Sequence, residues 1–237
     1  GFSERKIFKK ALAVCTVNDT MTMQYQNEYK KLKDKFYTIP NGYDPDDYRN
    51  IEPRKNEDFS IIYAGKFEVS AGFRDPTTIF QTIKKLNQSG YKINFLHIGS
   101  VEPKVVEIAE REGVSDFCNF IGRKSYKETL EYCKGANILL VIGGKEKSEQ
   151  TGKIFDYMAC KRPILVLSEK ESEINKVCED IRQAYCIRKN DVEQIKNILM
   201  KIYQEKHDNK MMNSNEEVEK YTRRNLTNQL VNILNKI

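Results

Sequence analysis

The chain has no tryptophan, two histidines and six prolines in 237 residues. Each scarcity excludes something. His97 and His207 leave little material for a zinc site or a Ser-His-Asp triad. The cysteines are Cys15, Cys118, Cys133, Cys160, Cys178 and Cys186; none forms a C-x-x-C pair, and most sit beside apolar residues. A disulfide framework needs denser spacing in a shorter secreted chain, so reduced, buried thiols in the cytoplasm are expected. The longest apolar run, near Ile138 to Ile142, is far too short to span a bilayer. No signal-peptide pattern is read. The chain opens Gly1-Phe2-Ser3 without an initiator Met, so a fragment of a longer protein is expected. No internal repeat or low-complexity run is found.

Charge is plentiful: 31% of residues are charged and 39% hydrophobic, as in a globular chain of one or two domains. The net charge of +6 suits anionic ligands or an anionic membrane surface. Lys and Arg are interleaved with Glu and Asp, the pattern of solvated helix faces, so nucleic acid is not expected as a partner.

From about residue 59 the chain alternates strand and helix. Phe59 to Ala64, Ile93 to Ile98, Cys118 to Ile121, Asn137 to Ile142, Ile164 to Leu167 and Ala184 to Ile187 are short, apolar and often β-branched, as strands buried on both faces should be. Helices are predicted between and after them, over Asp75 to Asn87, Glu102 to Glu112, Tyr126 to Lys134, Gly152 to Cys160, Ser172 to Glu179 and Asp191 to Gln204. The fold class that follows is α/β, a Rossmann-like, doubly wound, parallel six-stranded sheet.

The first part differs. A basic helix around Glu4 to Leu12 leads into an apolar stretch, Ala13 to Val17. A longer polar helix, about Asp19 to Lys33, precedes a strand at Phe36 to Ile39 and the turn Pro40-Asn41-Gly42. Tyr43 to Asp58, polar with Pro45 and Pro53, reads as a linker. A final helix, about Ser214 to Ile237, carries the stripe Leu226, Leu230, Ile233 and Leu234, which needs a partner.

The strongest functional signal is Thr151-Gly152-Lys153-Ile154-Phe155-Asp156, running through Pro163 into the strand at Ile164. Gly152 and Lys153 open a short helix, whose first N–H groups are unpaired and attract anions. Asp156, one turn in, could accept hydrogen bonds from sugar hydroxyls. Phosphate donors beside a hydroxyl acceptor suit a nucleotide; an ordinary crossover helix with Asp156 facing water is the alternative. Gly65 and Lys66 end the first strand of the alternation, where such sheets bind ligands. Arg74, before Asp75-Pro76, could join Lys66 in clamping a diphosphate, or Asp75 simply caps a helix beside a surface arginine. Gly122 ends another strand and would let a flat ring approach, with Arg123 or Tyr126 at its edge; the alternative is a plain turn capped by Ser125. Gly144 to Lys153 has the wrong spacing for a P-loop, and Ile154 stands where a Ser/Thr would bind magnesium. No G-x-G-x-x-G follows the first strand.

In this order the pieces resemble a retaining, nucleotide-sugar-dependent glycosyltransferase of the GT-B fold, group 1 (family four), over nearly the whole chain. Thr38-Ile39-Pro40-Asn41-Gly42-Tyr43-Asp44 resembles the family's interdomain I-P-N-G-V-D segment. Gly65-Lys66 with Arg74 resembles its phosphate-binding pair, Phe120-Ile121-Gly122 its base-contacting strand end, and Gly152 to Pro163 its nucleotide-binding helix. The family's E-x-x-x-x-x-x-x-E motif would place Asp156 at the ribose; Ser148 occupies its first position, with Glu149 one residue off. Neither histidine matches the family's catalytic one.

The resemblance implies three parts. Residues 1–44 would be a remnant of the acceptor-side N-terminal domain with the interdomain segment. Residues 45–213 would be the donor-binding, Rossmann-like domain, the C-terminal half of a GT-B fold. Residues 214–237 would be a helix crossing back. Lys66 and Arg74 would neutralise the leaving diphosphate, and Thr151, Gly152 and Lys153 would cradle it. Gly65, Gly122, Arg123 and Asp156 would complete the donor site. The donor would be a nucleoside-diphosphate sugar, the acceptor a saccharide or lipid-linked carrier, with no metal and no separate cofactor. A cytoplasmic place, with or without peripheral contact at the inner face of the membrane, would follow. Self-association of the fragment and lack of transferase activity by it alone are also expected. A nucleotide-sugar epimerase on the same scaffold and a non-catalytic nucleotide-binding or assembly module are the alternatives.

Overall fold

The structure, a computed structural model, describes residues 2–56, 58–207 and 216–237. Helix α1 (Phe2–Lys10) precedes two parallel strands, β1 (Val14–Thr16) and β2 (Phe36–Thr38), joined through α2 (Asp19–Glu28). Asn18 caps α2 by accepting from the Met21 N–H at 2.8 Å. The predicted helix to Lys33 ends early, and Lys30–Lys35 is a 3-10 segment. That lysine-rich stretch has no buried residue to hold a longer helix in place. Two strands enclose little, so an aromatic cluster closes this part. The Phe8 ring meets Tyr25, Tyr29 and Phe36 edge-on at 5.2–5.3 Å.

The main sheet comprises β3 (Phe59–Ala64), β4 (Ile93–Ile98), β5 (Cys118–Gly122), β6 (Ile138–Ile142), β7 (Ile164–Ser168) and β8 (Ala184–Arg188). All pairings are parallel, in the order β5-β4-β3-β6-β7-β8. Helices α3 (Thr77–Gln88) and α4 (Pro103–Glu112) follow β3 and β4. After β5 and β6 come α5 (Tyr126–Gly135) and α6 (Lys153–Ala159), and after β7 and β8 come α7 (Glu173–Glu179) and α8 (Val192–His207). Alternate strand residues feed two cores. Ile61, Tyr63, Leu140 and Leu165 pack with α3, α4 and α8. Ile62, Leu139, Val141 and Val166 pack with α5, α6 and α7. Both faces are covered, which is why these strands are mostly apolar, with polar exceptions such as Ser60, Asn94 and His97.

The chain winds outward from β3 to β5, then returns to the other side of β3 to begin β6. This reversal opens a crevice between the carboxyl ends of β3 and β6, where open α/β sheets bind ligands.

The expected linker is packed. Asp44 caps a 3-10 turn, Pro45–Tyr48, and Tyr43, Tyr48 and Ile51 are buried. Lys134 on α5 donates to the Tyr48 and Ile51 carbonyls at 2.6 and 2.9 Å. Of the thiols, Cys133, Cys160 and Cys178 are buried, but Cys15 and Cys186 are exposed. The expected final helix is split: Glu216–Tyr221 is 3-10, and only α9 (Arg223–Leu234) is α-helical. Its predicted beginning at Ser214 lies outside the described residues, as does the side chain of His207. The segment leading into α9 meets the stretch around Tyr43, where the Tyr43 N–H donates to Tyr221 and the Arg223 N–H to Tyr43. Leu226 is buried, but Leu230 and Leu234 are exposed, so the stripe is only partly covered.

Candidate functional site

Three strand ends share one pattern: an apolar residue, a glycine, then a polar residue. They are Ala64-Gly65-Lys66, Ile98-Gly99-Ser100 and Ile121-Gly122-Arg123. The sheet sets them side by side, as the Gly65 N–H donates to Ile98 and the Gly99 N–H to Gly122. Gly65, Gly99 and Gly122 have φ of 136°, 152° and 79°, conformations that suit glycine. Space at Gly99 is the tightest, because a Cβ there would lie 2.3 Å from the Gly65 carbonyl oxygen. Gly99→Ala is therefore expected to cost about 1–3 kcal/mol of stability and to dislodge the Gly65 turn. Urea denaturation checks it; an unchanged midpoint would refute the packing.

His97 is fully buried beneath this turn and donates from Nε2 to the Gly65 carbonyl at 2.7 Å. Burial lowers its pKa, keeping the ring neutral and a single-proton donor. The turn also rests on an aromatic floor, since Tyr63 and Phe67 stack at 4.2 Å and the Tyr63 hydroxyl donates to the Lys66 carbonyl.

Lys153 enters from the far side of the crevice. A Cβ on Gly65 would lie 2.6 Å from its Nζ, and that Nζ stands 4.0 Å from the centre of the Tyr63 ring. Burial, then the nearby Arg74 charge, lowers its pKa to about 7. Helix α6 is fixed against β3 by the Ala64 N–H, which donates to the Tyr157 hydroxyl at 2.9 Å. Gly152 precedes α6 with open space where a Cβ would stand, as at Gly122.

Arg74, itself at a positive φ of 54°, is not an unpaired clamp: it forms ion pairs with both Glu68 and Glu149. Glu149 lies against Gly144, in the loop that follows β6. That loop also touches the N-terminal part, since Asn18 Nδ2 donates to the Ser148 carbonyl at 3.0 Å. Arg123 donates to Ser100 Oγ at 2.7 Å, across the ends of β4 and β5. Lys66 is exposed and has no ion-pair partner among the described residues.

Asp156 is held by two phenols. Tyr48 donates to its Oδ1 at 2.6 Å and Tyr126 at 3.0 Å. The expected Ser125 cap of α5 is present as a capping box with Glu128, which sets Tyr126 on the first turn.

The expected site residues thus divide. Gly65 and Lys153 meet directly; Gly122 and Arg123 line the neighbouring strand ends; Asp156 sits one turn along α6. Lys66 points to no described partner, and Arg74 is occupied by carboxylates. Sequence reasoning passed over Gly99 and Tyr48, and weighed His97 only against zinc, triad and catalytic roles. The repeated apolar-Gly-polar strand end was the signal for Gly99.

This doubly wound domain, with its crevice at the reversal of strand order, is the Rossmann-like half of a GT-B architecture. Residues 44–223 match the family model described as glycosyl transferases group 1. The chain belongs to that family. Among solved structures it resembles a glycosyltransferase from Rickettsia africae ESF-5, with TM-score 0.74, 12% identity, and coverage of 100% of this chain and 67% of that one. Sucrose-phosphate synthase from Thermosynechococcus elongatus gives TM-score 0.72 at 15% identity, over 99% and 60% of the two chains. A pneumococcal O-GlcNAc transferase, GtfA, in complex with UDP and GlcNAc gives 0.65 at 17%, over 96% and 46%. The chain therefore spans between 46% and 67% of the length of these proteins. Identities this low establish the shared fold. No curated protein matches the sequence. No helix among the described residues is long and apolar enough to cross a membrane.

Proposed function

We propose that the chain is the donor-binding, C-terminal half of a retaining glycosyltransferase. It takes a nucleoside-diphosphate sugar for transfer to a saccharide or lipid-linked acceptor in glycan synthesis. The observation that carries this reading is the meeting of Lys153 Nζ with Gly65 across the crevice, with Asp156 on the same helix.

In this reading Lys153 is the principal cation for the diphosphate. The helix it opens has only seven residues, so its charge counts for more than the helix dipole. Open space at Gly152 and Gly122 lets phosphate and base approach the backbone. Lys66, exposed beside the crevice, and Arg74 add positive charge. Arg74 serves once the donor's phosphates displace Glu149 or Glu68 from it. Cations aimed at the leaving diphosphate stabilise the charge that develops as the glycosidic bond breaks. Asp156 takes the ribose, and the strand ends at Gly122 and Arg123 take the base. The complex of the pneumococcal neighbour makes UDP the first nucleotide to test.

Calorimetric titration of the chain with UDP, ADP, GDP and CDP tests the reading. Binding of at least one is expected, with no sugar transfer by this chain alone. Failure to bind any of them overturns the donor site, and transfer by the chain alone overturns the division of labour. The two carboxylates on Arg74 favour a second reading, a non-catalytic assembly module with a degenerate pocket, and weak or absent nucleotide binding in the same titration would speak for it.

A further inference from the structure

The geometry points to Tyr48 and Tyr126 as positioning residues that aim the Asp156 carboxylate at a ribose diol, making the site discriminate ribonucleotides from 2′-deoxyribonucleotides. This inference rests on the donor-site reading above.

The two phenols approach one oxygen of one carboxylate. Tyr48 Oη lies 2.6 Å and Tyr126 Oη 3.0 Å from Asp156 Oδ1, and the phenol oxygens are 3.1 Å apart. Each phenol has a single proton. With both protons given to Oδ1, that oxygen is saturated and the carboxylate is locked in its plane. No described residue donates to Oδ2, and Asp156 is only partly buried. Oδ2 is thus left for a donor from outside the protein. A vicinal diol supplies such donors, and a deoxyribose has one fewer.

The phenols stay protonated, and so remain donors, across the neutral range. Burial and Asp156 raise Tyr48, and burial pushes Tyr126 up to about 12. They come from separate parts of the chain. Tyr48, 5% exposed, ends the 3-10 turn in the interdomain stretch. Tyr126, 53% exposed, begins α5. Asp156 is therefore aligned from two elements other than its own helix α6. A carboxylate left to rotate would still accept a hydrogen bond, but it would lose its preference for a diol in one orientation.

The test is calorimetric titration of the chain with the tightest-binding ribonucleoside diphosphate of UDP, ADP, GDP and CDP, and with its 2′-deoxy counterpart. The wild type is expected to prefer the ribonucleotide by about tenfold or more, the range of one charge-assisted hydrogen bond. Tyr48→Phe keeps the ring and removes the donor, and should reduce that preference to about threefold or less, a fraction of such a bond. Asp156→Asn should nearly abolish it. Should Tyr48→Phe fail to fold, as judged by its thermal transition, Tyr126→Phe at the exposed position gives the same readout with a smaller drop. Equal weakening of both nucleotides, with the preference intact, would overturn the inference and leave the donor site standing. No binding of any nucleotide by the wild type would overturn both.

Discussion

Lys153→Ala is expected to weaken nucleoside-diphosphate binding by about 1.5–3 kcal/mol, the loss of a desolvated charge-assisted hydrogen bond. Titration of the variant against the wild type reads it directly. An unchanged affinity would make Lys153 a packing residue under the Gly65 turn.

The same lysine predicts opposite pH trends for stability and binding. Its pKa is lowered to about 7 in the fold, against an ordinary 10.5. Between those values the unfolded chain holds the extra proton, so this lysine makes stability rise with pH across that window. Below about 7 the cost of burying the charge is fully felt. Binding runs the other way, because a diphosphate needs the charged amine. Affinity should fall as pH rises through about 7, and binding near that pH should take up a proton. Titrations in two buffers of different ionisation enthalpy would reveal the uptake. Lys153→Met, which removes the buried charge, should melt higher than the wild type at pH below about 7 while losing binding, a trade between stability and function. A lower melting temperature would contradict it.

Phe155→Ala is expected to be the most damaging core substitution, at about 3–5 kcal/mol. The ring is fully buried on α6, and it meets Tyr221 at 5.3 Å in an edge contact. Its loss leaves a cavity between the sheet and the segment that leads into α9. Because the same helix carries Lys153 and Asp156, donor binding should weaken as well. The urea midpoint should fall with little change in slope. A loss below about 1 kcal/mol would mean that the neighbours collapse into the space.

The strands were the most legible part of the chain. Phe59–Ala64 and Ile93–Ile98 could be read to the residue, because burial on both faces leaves a mostly apolar run bounded by polar residues or glycine. The end of α2 was not legible. Lys30–Lys35 has no apolar stripe, so no packing requirement marks where the helix stops. The stretch that begins at Tyr43 misled for a related reason. Its polar composition reads as a linker, yet Tyr48 finds its carboxylate 108 residues away. Arg74 shows the same limit at the site. A basic residue before a helix reads as an anion clamp, but the fold brings Glu149 to it from 75 residues along the chain.

By itself the sequence determined the alternation of buried strands and amphipathic helices, and with it a parallel sheet covered on both faces. It also determined which strand ends carry glycine and which helix opens with a lysine, because these are local properties of residue type and spacing. Only the tertiary structure decided that the strand order reverses at β3, which sets Lys153 against Gly65. It alone decided the lowered pKa of Lys153, the carboxylates on Arg74 and the two phenols on Asp156. Each of these depends on burial and on distances between groups far apart in sequence, and Coulomb and desolvation terms follow spatial separation rather than chain order.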